Sequence, residues 1–206
     1  MKKMIAAVQN NAEKANTYRE LMTRYNKAVK EGFYFEALLI EYAMIEDRTL
    51  SFLYHCGVQN SRDSLKVSKI SRNNLLKTIL PAEEGKVRRY SLDGLGRKIE
   101  IIDAVLKWSC EIDYTPEDKY LRTLKRQLES LDIYELQETL KCINKWKDYR
   151  NEVIHGLLNK KIDILWLDVA SQVEEGMKLA RSLDNQVRIV KKNNKIRKAA
   201  NLPIRR

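Results

Sequence analysis

The sequence predicts an all-α protein: an antiparallel helical bundle with a long C-terminal helix and a basic tail. Three observations predict it. Only seven glycines and three prolines are spread over 206 residues, whereas Leu, Lys, Glu, Ile and Arg are abundant, a balance that favours helices over short strands joined by turns. Apolar residues recur three and four apart over long stretches, the period of one helix face. The joins between most of these stretches are short, which suits antiparallel helices that share one core. With 44% apolar residues the chain can bury such a core. Residues 1–190 read as one bundle domain and residues 191–206 as the basic tail.

Taken in order, residues 16–30 read as a moderately polar helix that Gly32 ends. A stronger helix follows from Phe33 to Gly57, with the glycine as its natural stop. Residues 58–91 are mixed, with a helix over 71–80 ahead of Pro81 and then a charged connection, together an excursion over the surface. Another helix covers 95–112. Thr115-Pro116-Glu117-Asp118 then supplies a cap, a first-turn proline and acidic residues that start the next helix, and Asp132 with Glu135 repeats that capping logic. Residues from Asp163 to about Val190 form a long amphipathic helix, with Trp166, Val169, Val173, Met177, Ala180, Leu183 and Val187 on one stripe.

The net charge is +11, but from Asn185 to Arg206 there are eight Lys or Arg and no acid, which leaves 11 − 8 = +3 for everything before. Arg188, Lys191, Lys192, Lys195, Arg197 and Lys198 fit phosphate contacts and fit a solvated helix end equally well. Cys56, Cys110 and Cys142 are odd in number and far apart, so buried reduced thiols are expected rather than a disulfide framework or a zinc knuckle. Two histidines and three separated cysteines give no basis for a metal, and no cofactor is expected. Gly94-Leu95-Gly96 lacks the third glycine and the preceding strand of a dinucleotide fingerprint and reads as a loop leading into a helix. The apolar stretch Met4–Val8 is too short for a signal peptide, and no run approaches membrane-spanning length. A cytoplasmic protein without membrane contact is expected.

One stretch breaks the pattern. At about 100° per residue, Ile133, Leu136, Leu140, Ile143, Ile154 and Leu158 share one sector of the helix that starts at Asp132. Lys147 and Asn151 project within that sector, Arg150 lies on one margin and His155 just beyond the other. The helix from Phe33 repeats the anomaly, with Glu46 and Thr49 inside the sector that Phe35, Leu38, Tyr42, Ile45, Leu53 and Cys56 define. Buried charge is costly without a partner, so Glu46 is expected to meet Arg150 or Lys147 and orient a cation at a polar opening in the bundle. The plainer alternative is a structural ion pair at a helix end. His55 also precedes a glycine but has Leu50 where His155 has Arg150, and it reads as structural. Phe33-Tyr34-Phe35 and Trp146 read as core or interface aromatics.

Arg150-Asn151-Glu152-Val153-Ile154-His155 spells R-N-x-x-x-H, which resembles the signature of the HEPN superfamily of α-helical nucleases and nucleotide-binding proteins. The motif closes a late helix of an all-α bundle and an amphipathic helix follows it. The resemblance implies metal-independent endoribonuclease activity, with the motif helices of a homodimer placing two Arg and His sets around one cleft. Arg150, Asn151 and His155 would then be catalytic. Asn151 and His155, four apart on one face, would orient and exchange protons, and the forked donors of Arg150 would grip a phosphate. Lys147, Arg188, Lys191 and Lys192 would bind substrate, although Lys147 also reads as a solvated rim lysine, and Glu46 would support the site. RNA is the implied substrate, and the superfamily's place in toxin–antitoxin and antiviral defence systems implies a possible antitoxin or regulatory partner. The competing expectation is an inactive HEPN-like module that dimerises or binds nucleic acid or protein.

Overall fold

The computed structural model describes residues 11–59, 70–80, 91–156 and 168–204. Its elements are α1 (Asn11–Lys30), α2 (Tyr34–His55), α3 (Ile70–Ile79), α4 (Gly94–Glu111), α5 (Lys119–Leu128), α6 (Ile133–Gly156), α7 (Val169–Lys191), a 3₁₀ turn over Lys192–Asn194 and a short α8 (Lys195–Ala199). The protein is an all-α bundle, as the glycine and proline content predicts. Among the described residues, no helix is long and apolar enough to cross a membrane. The beginning of the expected last helix, residues 163–168, falls mostly outside the described residues, as do Trp166 and Leu158.

Side-chain pairings give the helix directions. Lys14 reaches Asp47 at 2.6 Å while Tyr25 lies by Glu41, so α1 and α2 are antiparallel. Gln137 donates to Asp103 at 3.0 Å, and Lys147 lies against Gly96, so α4 and α6 are antiparallel. Trp146 donates to the Gln172 carbonyl at 2.9 Å and Thr139 meets Ser182 at 3.1 Å, so α6 and α7 are antiparallel as well. The central helix α2 nevertheless has two parallel neighbours. Glu46 pairs with Lys98 of α4, and Arg48 reaches Asp184 of α7 at 2.7 Å. The chain leaves α2 at its carboxyl end and enters α4 level with Tyr42 and Glu46; the excursion expected between them lies largely outside the described residues.

Local signals place the helix starts. Asp132 accepts from the Glu135 N–H at 2.9 Å, the cap expected for α6. The start of α5 differs from expectation: the cap is Asp118, which accepts from Leu121 N–H at 3.0 Å, rather than Thr115. Pro116 is buried and belongs to the preceding loop, so the carboxylate next to the helix start takes the orphan N–H. The three cysteines are free thiols, but only Cys56 is buried as expected: Cys142 is half-buried and Cys110, off the core face of α4, is exposed.

Gly176 sets how closely α7 approaches α2 and α6. A Cβ at this position would lie 2.5 Å from Glu41 Oε2 and 2.7 Å from two atoms of the Trp146 indole. Both neighbours are buried and cannot swing away. Alanine in an exposed helix interior would stabilise by about 1 kcal/mol over glycine. Here Gly176→Ala should instead destabilise by about 1–3 kcal/mol through overpacking, a sign that thermal or chemical denaturation reads directly.

The basic C-terminal segment is not all solvated. Ile196 and Arg197 are buried. The Arg197 guanidinium lies 3.6 Å over the Tyr54 ring and donates to the Tyr54 carbonyl at 2.6 Å and to the Pro203 carbonyl at 2.7 Å. It thereby satisfies the carboxyl end of α2, beside Tyr120, whose hydroxyl donates to the Cys56 carbonyl at 2.9 Å. Gly57, at φ +78°, ends α2 in a left-handed turn where a Cβ would press at 3.2 Å on Leu202 and Tyr120. Arg197→Ala should cost about 2 kcal/mol, because the Tyr54 and Pro203 carbonyls lose a charged donor; the loss is measurable as a lower denaturation midpoint.

Candidate functional site

The polar residues of α6 collect where its buried side turns. Its first half buries Leu136, Thr139, Leu140 and Ile143, as the apolar spacing predicts. Its second half buries Trp146, Val153 and Gly156, a swing of roughly 100° around the helix. The cause is α7: Gly176 and the Gln172 carbonyl receive the Trp146 indole, which draws that end of α6 over. Ile154, expected in the core, is half-buried. The polar residues therefore line the seam between α6, the middle of α2 and the start of α4, rather than the core itself.

Arg150 is the centre of this seam. Its guanidinium carbon lies 4.5 Å over the ring of Tyr42 on α2, and its Nη1 donates to Asn151 Oδ1 at 3.1 Å. Its Nε is buried without a hydrogen-bond partner, and among the described residues no carboxylate pairs with it. An aromatic face on one side and an amide at one end hold the guanidinium in place, with donors left for an oxyanion. Burial raises the pKa of the Tyr42 hydroxyl and the Glu46 carboxylate adds to the rise, while Arg150 and the Leu95 backbone act against it. Tyr42 therefore stays a neutral phenol.

Glu46 does not meet Arg150 or Lys147. It accepts from Lys98 Nζ at 2.7 Å instead, because α2 and α4 run parallel and bring Lys98, one turn into α4, level with Glu46. Lys147 donates to Asn144 Oδ1 at 3.1 Å and lies 3.1 Å from Asp148 Oδ1. Its ammonium lies against the start of α4, where a Cβ on Gly96 would sit 3.2 Å away. His155 is exposed, one turn beyond Asn151, and among the described residues it makes no hydrogen bond or ion pair.

The structure thus brings Arg150, Asn151 and Lys147 to one seam and leaves His155 at its open end. It does not bring in Arg188, Lys191 or Lys192. Arg188 is exposed and tied to Asp184 at 2.8 Å. Lys191 lies near His55, at the far end of α2, roughly 20 Å along the helix from Tyr42. Within one chain those cations lie well away from Arg150. His55 is buried, packed at 5.0 Å edge-on to Tyr54, and burial together with the cations Lys191 and Arg197 pushes its pKa down to about 4. It is a neutral core residue, as its sequence context suggests.

Sequence reasoning missed Tyr42 and Lys98 as site residues. Tyr42 reads only as one member of an apolar stripe, and its place four before Glu46 is the single signal that it borders the polar break. Lys98 carries no local signal, since a lysine in a helix start is ordinary. No protein-family model, curated protein or solved structure matches the chain.

Proposed function

We propose that the protein is a metal-independent endoribonuclease whose site, built on Arg150, Asn151 and His155, is completed by a second copy of the chain. The observation that carries this reading is Arg150: a cation held over Tyr42 and bonded to Asn151, with no carboxylate paired to it among the described residues, and followed at the open end of the seam by a His155 that none of them engages. In the reaction the ribose 2′-oxygen attacks the adjacent phosphorus, one imidazole takes the 2′-hydroxyl proton, and a second imidazole protonates the departing 5′-oxygen. The products are a 2′,3′-cyclic phosphate and a 5′-hydroxyl. Arg150 stabilises the charge that builds on the non-bridging oxygens.

One histidine per chain supplies one proton exchanger, so the two roles fall to His155 of each subunit. Leu39, one turn before Tyr42 on α2, is 50% exposed and gives the rim an apolar element for such a contact. Control by an antitoxin-like protein would act by covering the same rim. The test is incubation of purified wild type and His155→Ala with total RNA in EDTA, with 3′ ends analysed for cyclic phosphate. Equal cutting by the two proteins would overturn the assignment.

A second reading, an inactive HEPN-like module that binds nucleic acid, is favoured by the exposed Lys191, Lys192, Lys195 and Lys198, remote from Arg150. Truncating this segment would also remove buried Val187, Val190, Ile196 and Arg197, so charge reversal of Lys191, Lys192 and Lys195 is the discriminating variant. A binding module loses RNA affinity in that variant and cuts nothing as wild type.

A further inference from the structure

We propose that Lys98 is a positioning residue that keeps Arg150 open to a phosphate by occupying the carboxylate of Glu46. The inference rests on the reading of Arg150 as a phosphate-binding group. Lys98 is unusual in the core. Its side chain is 6% exposed and sits on the face of α4 that buries Leu95, Ile99, Ile101 and Ile102, where an apolar residue would pack without the desolvation cost of an ammonium. A buried ion pair is seldom better for stability than apolar packing, so stability alone does not account for the lysine.

Its position does. Glu46 and Arg150 both act on the hydroxyl of Tyr42: Glu46 stands one turn later on the same helix, and Arg150 lies over the ring. Glu46 thus borders the same phenol that Arg150 covers, and a guanidinium is the better-shaped partner for a carboxylate than an ammonium is. An Arg150 bound to Glu46 would be neutralised and its donors would be spent. Lys98, 2.7 Å from Glu46 Oε1, engages that competitor. Among the described residues Arg150 is left with one hydrogen bond, to Asn151, and with no carboxylate paired to it. Lys98 need not touch RNA to affect how RNA is held.

This coupling makes a rescue experiment decisive. The probe is a short fluorescein-labelled single-stranded RNA whose 2′-oxygens are methylated, so that it is bound but not cut, and affinity is read by anisotropy for wild type, Lys98→Met, and Glu46→Gln combined with Lys98→Met. Helix content and melting temperature are recorded for each. Lys98→Met should bind about tenfold more weakly, since the freed Glu46 competes with phosphate for Arg150, and the double variant should return to within about twofold of wild type. A Lys98→Met protein that binds as wild type does, or a folded double variant as weak as the single one, overturns the inference. If Lys98→Met alone fails to fold, the double variant decides by itself: wild-type affinity supports the inference and a tenfold loss overturns it. Wild type that does not bind the strand overturns the reading of Arg150 and this inference together, whereas wild type that binds alongside an unaffected Lys98→Met overturns this inference alone.

Discussion

RNA cleavage by His155→Ala should fall at least about a hundredfold below wild type, the usual contribution of one positioned proton exchanger, while the melting temperature stays where it was. The second half of that expectation follows from exposure. His155 makes no hydrogen bond or ion pair among the described residues and lies at the surface end of α6, so its removal leaves neither a cavity nor an orphaned polar group. A loss of activity cannot then be charged to unfolding. If both subunits contribute the imidazole, the substitution removes base and acid together, and the loss should lie beyond what one group gives. Activity within about threefold of wild type, in EDTA and at matched protein concentration, would remove His155 from the chemistry.

Stability should fall as pH rises above neutrality, and Glu41 is the reason. This carboxyl is buried between α2, α6 and α7 with neither oxygen hydrogen-bonded. Burial pushes its pKa up to about 9 from 4.5, and the neighbouring Tyr25 hydroxyl offsets only part of the rise. Between those values the folded protein holds a proton that the unfolded chain has released, so unfolding becomes easier with each increment of pH. One such group contributes at most about 1.4 kcal/mol per pH unit.

His55 works in the opposite sense. Its folded pKa of about 4 lies below its ordinary 6.5, so its share of stability is complete above 6.5 and is lost as pH falls toward 4. The two slopes oppose each other between about 4.5 and 6.5 and leave Glu41 alone above that. The denaturation midpoint should therefore be nearly level in the first window and decline from pH 6.5 toward 9. Glu41→Gln, which cannot ionise, should abolish the decline and be the more stable protein at pH 8. A decline that persists in Glu41→Gln would show that another group is responsible.

Much of the bundle was legible in the sequence because its signals are local. The spacing of Leu136, Leu140 and Ile143 and the Asp132 cap place α6 without reference to any other helix. The grouping of Lys147, Arg150, Asn151 and His155 at one end of that helix is likewise a matter of angles along one chain segment. Less was legible where a residue answers to a neighbour distant in sequence. Trp146 reads as a generic aromatic until Gly176 of α7 opens a place for it, and Arg197 reads as one more tail cation until the end of α2 offers its carbonyls.

What the sequence by itself determined is therefore the helical class, the approximate span of most of the long helices and the presence of a polar break in α6. Only the tertiary structure decided which way α6 turns its buried side, and which cation Glu46 takes. The physical reason is range. Helix periodicity and capping act over three or four residues, whereas the choice between Lys98 and Arg150 depends on α2 and α4 running parallel, a relation set by the whole packed bundle. In that packing Glu46 pairs with Lys98 while Arg150 lies over the Tyr42 ring.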